Sequence, residues 1–189
     1  MKKAILILFV LLLVGCSLYN EPVADQPDQL NNQLTGQVTQ KYIKELDLQE
    51  IEKAVYQQIN TVRKDAGVRA LTFDGEMILI AQSHSNDMVE NDYFSQINLE
   101  GKDATTRAVE LGFNRKKWDG EWQDSVLVEN IGKVSAEDFS EADQVAEALV
   151  DDWLEDEESM NNILISSLTH TGIGVAFDGE NYLVTQNFW

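Results

Sequence analysis

The sequence predicts an α+β domain in which helices pack on an antiparallel sheet. Three observations carry that reading: apolar residues recur at helical spacing through the first half of the folded part, they alternate at strand spacing at its end, and a turn signal, Asp178-Gly179, separates the two alternating runs. Taken in order, Asp47 opens the first helix, with Glu50 completing a capping box. Leu48, Ile51, Val55, Ile59 and Val62 form its stripe, and Gly67 suits its C-terminal stop. Asp74 caps a second helix, striped by Met77, Ala81, His84 and Met88. A third runs from about Asp103 to Leu111, with Ala104, Arg107, Ala108 and Leu111 inward and Gly112 as its stop. A fourth starts at Ser140, has Asp143 as its N3 acid, and buries Ala142, Val145, Ala146, Leu149 and Trp153. Val126 to Ile131 is a strand candidate, and Trp118 and Trp122 fall in a loop. Ile173, Val175 and Phe177, then Tyr182, Val184 and Phe188-Trp189, form a β-hairpin.

The N-terminus is of another kind. Lys2 and Lys3 precede an apolar run from Ala4 to Val14, followed by Gly15 and Cys16. Eleven apolar residues extend only about 16 Å as a helix, short of a bilayer core. The pattern reads as a secretory signal, and Leu13-Val14-Gly15-Cys16 resembles the bacterial lipobox. That resemblance implies acylation of Cys16, the sole cysteine, and removal of residues 1–15. Two or more acyl chains hold a protein stably at a bilayer. Residues 16–46 then form a lipidated cysteine and a flexible tether. They are polar, hold both prolines, are dense in Asn and Gln, and have a reach of about 30 Å. Residues 47–189 are the folded domain.

Charge and rare residues exclude several function classes. The 189 residues carry 14 basic and 33 acidic side chains, a net of −19. Loss of residues 1–15, which contain two lysines and no acid, makes this −21. Phosphates demand a basic face, so nucleic acid is excluded as the main partner. One cysteine rules out an internal disulfide or Cys-based zinc site, and two histidines rule out a His-rich one. There is no G-x-S-x-G, and Ser83 and Ser85 flank His84 as helix neighbours that do not face one another productively.

Within residues 50–189 a series of fragments resembles the CAP superfamily, or SCP-like domain, in its bacterial form. They are Ile59-Asn60-Thr61-Val62-Arg63 with Gly67 and Leu71, and Ala81-Gln82-Ser83-His84-Ser85-Asn86-Asp87-Met88. Tyr93-Phe94-Ser95, Gly101 with Arg107 and Gly112-Phe113, Glu129-Asn130-Ile131 and Trp153 follow. Asn162-Ile163-Leu164, Thr169-His170-Thr171-Gly172-Ile173-Gly174-Val175 and Gln186 with Phe188 close the series. The resemblance implies an α-β-α sandwich and an open cavity of histidines and acids that sometimes holds a divalent metal. This chain departs from that set. Gln96 stands where most bacterial members have a His after the Tyr-Phe-Ser, and Ser159-Met160 stands where they have His-Arg. Glu129 and Asp156 occupy positions of cavity acids.

The cavity candidates are thus Glu129, Asn130, Asp156, Gln96, Ser159, His170 and His84. Glu129 and Asp156 are weak metal candidates, suited at most to a hard ion such as Ca²⁺ or Mg²⁺. No cofactor is expected. His84 reads as a hydrogen-bonded core residue and Arg107 as a buried clamp that needs a carboxylate or carbonyl. Glu129 is either functional or fixes a loop, His170 faces the cavity or bridges strands, and Trp118 and Trp122 form a binding surface or pack under a loop. Asp151 to Glu158 reads as an acidic helix end that opposes the helix dipole. The expected protein is an exported, monomeric lipoprotein on the outer (or a periplasmic) face of a bacterial membrane. It binds an unknown small-molecule or protein ligand; the alternatives are a metal-assisted envelope hydrolase or peptidase and an acidic cation-binding module.

Overall fold

A computed structural model describes residues 45–113, 116–118, 122–124 and 126–189. The signal, Cys16 and all but the end of the tether lie outside the described residues. At that end Leu46 is already docked, donating its N–H to the Tyr182 hydroxyl at 2.9 Å and packing on the core.

The first two helices begin at the predicted caps. Helix α1 (Leu48–Asp65) starts at Asp47, whose side chain accepts from the Gln49 N–H. Strand β1 (Thr72–Phe73) follows, then α2 (Gly75–Glu90), capped by Asp74, and α3 (Ala104–Glu110), capped by Asp103. Gly67 and Gly112 take φ of +74° and +90° after α1 and α3, a region that costs a residue with a Cβ. Leu111 departs from its expected inward place: it lies just past α3, 56 % exposed, because the helix stops one residue earlier.

A short antiparallel pair, β2 (Lys116–Trp118) and β3 (Trp122–Asp124), replaces the predicted loop and sets Trp118 opposite Trp122. Strand β4 (Val128–Ser135) starts two residues later than expected, leaving Val126 exposed. Helix α4 (Ala142–Glu155) is capped at Glu141, not Ser140, whose N–H instead bonds Gln144 at 3.1 Å. The acidic run is not one helix end. Asp156 terminates α4 and caps α5 (Glu157–Leu164), accepting from the Ser159 N–H at 2.8 Å. Glu157 and Glu158 therefore sit at a helix N-terminus, where the dipole favours them.

Strands β5 (His170–Phe177) and β6 (Asn181–Phe188) form the predicted hairpin, with Gly179 at φ +101° in the turn. The sheet order is β1-β5-β6-β4; it is antiparallel except for two-residue β1, parallel to β5. Helices α1, α4 and α5 cover one face, where Ile173, Val175, Tyr182, Val184 and Phe188 meet Ile51, Ile59, Leu149 and Trp153. Helix α2 covers the other, lying against the glycine side of β5. Because both faces are covered, the hairpin is buried almost throughout, including Thr185, Gln186 and Asn187, and the expected alternation of exposure disappears.

Two devices lock these layers. Trp153 donates its indole N–H to the Ile131 carbonyl at 2.8 Å beneath Gly132, whose missing Cβ makes room for Leu149. Arg63, fully buried, donates to the carbonyls of Arg69, Ile163, Ile165 and Leu168 at 2.8, 2.5, 3.1 and 3.3 Å. It ties α1 to the end of α5 and to the segment that follows.

Candidate functional site

Glycines 172 and 174 set the site by letting α2 lie on β5. Gln82 then bridges the Val175 carbonyl and N–H at 2.8 and 3.2 Å, and Ser85 bonds the Gly174 carbonyl and the Thr185 hydroxyl, both at 2.9 Å. The same stripe carries His84 inward, 1 % exposed.

His84 Nε2 lies 3.0 Å from the Ser95 carbonyl. A carbonyl only accepts, so Nε2 carries the proton and donates. Burial, and then the charge of Arg107, lower the imidazole from its ordinary value to about 4. The ring is therefore neutral at pH 7. Its other nitrogen faces the Tyr93 hydroxyl at 3.5 Å, but that hydroxyl donates to Asp87. Burial and this bond raise the phenol far above the usual range.

Arg107 finds both partner types that its burial requires. It donates to the carbonyls of Gln96 and Lys102 at 2.6 and 3.0 Å and to Glu129 Oε2 at 2.6 Å. It clamps the loop between α2 and α3 onto the start of β4. Among the described residues Glu129 Oε1 has no hydrogen-bond partner, and it lies 3.8 Å from His84 Nε2. Burial outweighs the pull of Arg107 and raises the carboxyl to about 7.

The backbone carbonyl of Glu129 is gripped from both layers, by Gln96 at 3.0 Å and Asn162 at 3.4 Å. Asn162 also donates to Asn130 at 2.9 Å, and Asn130 donates to the Ser159 carbonyl at 3.1 Å. The structure thus brings Glu129, His84 and Gln96 together around Arg107, and places Asn130 and Ser159 on the opposite face with α5. Asp156 is exposed, and its capping bond holds the carboxyl below the usual range. His170 shares the sheet face of Glu129, two register positions along β5. Its Nδ1 contacts the Thr169 hydroxyl at 2.8 Å and its ring packs on Trp189, 5.2 Å between centroids. The side chains of Trp118 and Trp122 lie outside the described residues.

Sequence reasoning missed Tyr93, Asp87 and Asn162 as members of the network. Asn162 follows Ser159 by three residues, the spacing of one helix face, which is the signal that could have found it.

A divalent metal does not fit this set. Glu129 is paired with Arg107, the His84 nitrogens face Ser95 and Tyr93, Asp156 caps a helix, and Ser159 enters through its backbone. Among the described residues no three His, Cys, Asp or Glu side chains are grouped to hold an ion.

Two clefts flank the Arg107–Glu129 pair. One, of about 230 Å³, follows β4 and is lined by Gln96, Asp103, Thr105, Glu129, Glu158 and Asn162. The other, of about 440 Å³, lies between α2 and α3 and includes His84, Asp87, Glu90, Glu100, Arg107 and Glu110.

The family described as "CAP: Cysteine-rich secretory protein family" matches residues 56–188. The uncharacterized membrane protein YlbC of Bacillus subtilis (strain 168) is 29 % identical over 137 residues, 72 % of this chain and 34 % of YlbC. The chain thus spans about a third of that relative. An outer surface protein from Borrelia burgdorferi shares the fold at TM-score 0.59 and 16 % identity, over 77 % of this chain and 96 % of its own. An extracellular protein containing a SCP domain from Bacillus anthracis matches at TM-score 0.55 and 26 % identity, over 77 % of this chain and 44 % of its own.

Proposed function

The chain belongs to the CAP family, the cysteine-rich secretory proteins, and from that premise we propose that it is an exported, membrane-anchored binding module without catalytic activity. The observation that carries the second half is the commitment of the polar cluster to structure. His84 donates to Ser95 in its neutral form, and Arg107 holds Glu129 through Oε2 while donating to two backbone carbonyls, so the ring and the guanidinium serve to fix the loop on β4. The location outside the cell is supported by the N-terminal pattern ending at Cys16 and by the extracellular, outer-surface and membrane proteins that the chain resembles. Anchoring is by the acylated Cys16. Replacing Cys16 by Ala removes labelling by radioactive palmitate and releases the protein from the membrane fraction; an unchanged distribution overturns the anchor.

A second reading, an envelope hydrolase or peptidase, is favoured by one observation: a histidine nitrogen lies 3.8 Å from a carboxylate oxygen. The two readings separate in one assay. The purified full chain is incubated with fluorescent casein and with p-nitrophenyl esters, with and without 1 mM Zn²⁺ or Ca²⁺. Hydrolysis no faster than the blank supports the binding reading. Turnover that disappears in Glu129→Gln overturns it. A cation-binding role has less to support it, since the donor set fits no ion.

A further inference from the structure

On the α2–α3 side an apolar groove is left without a protein partner among the described residues. Leu79 of α2 is 70 % exposed and Leu111, just past α3, is 56 % exposed; with Ile80 and Phe113 they line a groove of about 90 Å³. Ile80 and Leu111 also line the 440 Å³ cleft, so groove and cleft form one surface. Further along the cleft the character changes. Asp87 and Glu90 of α2 face Glu110 of α3 across it, with Glu100 from the intervening loop. The local cations do not neutralise this wall. Lys102 is shared between Glu100 and Glu110, and Arg107 is committed to Glu129 and two carbonyls. Glu90 has no ion pair among the described residues.

The charge pattern selects the occupant. A second copy carries the same net −19 and is repelled, as is an anionic lipid surface. A simple polyamine satisfies the carboxylates but leaves Leu79 and Leu111 in water. A segment with both cationic and aliphatic side chains matches both halves. We propose that this joined cleft and groove is a docking surface for a basic amphipathic peptide segment of a partner protein. The assignment rests on the binding reading above and supplies its partner class.

The test uses the full chain in zwitterionic nanodiscs, with empty discs as the blank. A fluorescein-labelled peptide of alternating lysines and leucines is titrated by anisotropy beside a lysine–serine peptide of equal charge. The leucine peptide is expected to bind at least about tenfold more tightly. Glu90→Gln with Glu110→Gln, and separately Leu79→Ser with Leu111→Ser, each weaken it about five- to tenfold. Glu50→Gln with Glu141→Gln, which neutralises a different acidic cleft between α1 and α4, leaves binding unchanged. Equal weakening by that control pair, equal affinity for the two peptides, or no binding of the leucine peptide overturns the docking surface. Mass spectrometry of the recovered peptide reads the other question separately: cleavage overturns the non-catalytic reading, whatever the anisotropy shows.

Discussion

Replacing Gly174 by Ala tests the contact that positions His84. A Cβ there lies 2.2 Å from the Gln82 nitrogen, 2.4 Å from its Cα and 2.5 Å from the Ala81 carbonyl carbon. Ordinary contact begins near 3.4 Å, so α2 must withdraw by about 1.2 Å, and the obstructing atoms are backbone that cannot rotate away. Overpacking of this kind costs about 1–3 kcal/mol, and backbone against backbone puts the expected loss at the upper end, about 2–3 kcal/mol. The same withdrawal stretches the Ser85 and Gln82 bonds to β5 and moves His84 relative to Ser95. Gly75→Ala is the internal control, because its Cβ meets nothing within 4 Å and it opens α2. It is expected to be neutral or stabilising by up to about 1 kcal/mol. Urea unfolding followed by tryptophan fluorescence measures both. A loss below about 1 kcal/mol for Gly174→Ala, or equal effects of the two changes, refutes the claim that α2 rests on the glycine face.

Arg63→Lys takes donors from four carbonyls, those of Ile163 and Leu168 in buried bonds, and is expected to cost about 2–4 kcal/mol in the same urea assay, since a point-like ammonium cannot span the fork. Arg107→Met strands a buried carboxyl and is expected to cost about 3–5 kcal/mol, while adding Glu129→Gln recovers at least about 1 kcal/mol; a double-mutant cycle with no coupling contradicts the clamp. The pH dependence has two opposing parts. His84, lowered to about 4, contributes stability that is present above about 6.5 and lost as pH falls toward 4. Glu129, raised to about 7, contributes stability that is present below about 4.5 and lost as pH rises through 7. Between about 4.5 and 6.5 the slopes oppose, so His84→Gln should unmask a stability that declines as pH rises from about 4.5 to 7; a pH profile identical to that of the unmutated protein rejects the assignment.

Much of this was legible in the sequence because it is local. Asp47, Asp74 and Asp103 announce helices through their own side chains, and Asp178-Gly179 announces its turn, without reference to the rest of the fold. Arg107 was legible as a clamp because a buried guanidinium demands acceptors. Which acceptors it meets was not, since Gln96, Lys102 and Glu129 come from a loop and a distant strand. Asp156 was misread for a similar reason. A continuous acidic run carries no mark of where one helix ends and the next begins, and it is the extended backbone at Asp156, φ −86° and ψ 122°, that breaks the helix and gives that residue its capping role. The parallel pairing of β1 was invisible because two residues carry no period.

The grip on the Glu129 carbonyl has a consequence for behaviour at high local density. β4 is the outer strand of its sheet, and an outer strand presents unpaired backbone groups as a template for another chain. Gln96 and Asn162 occupy one of those groups from opposite sides, so an incoming strand must displace two side chains before it can zip. Wherever copies of the domain crowd together, these two amides stand in the way of edge-to-edge polymerisation.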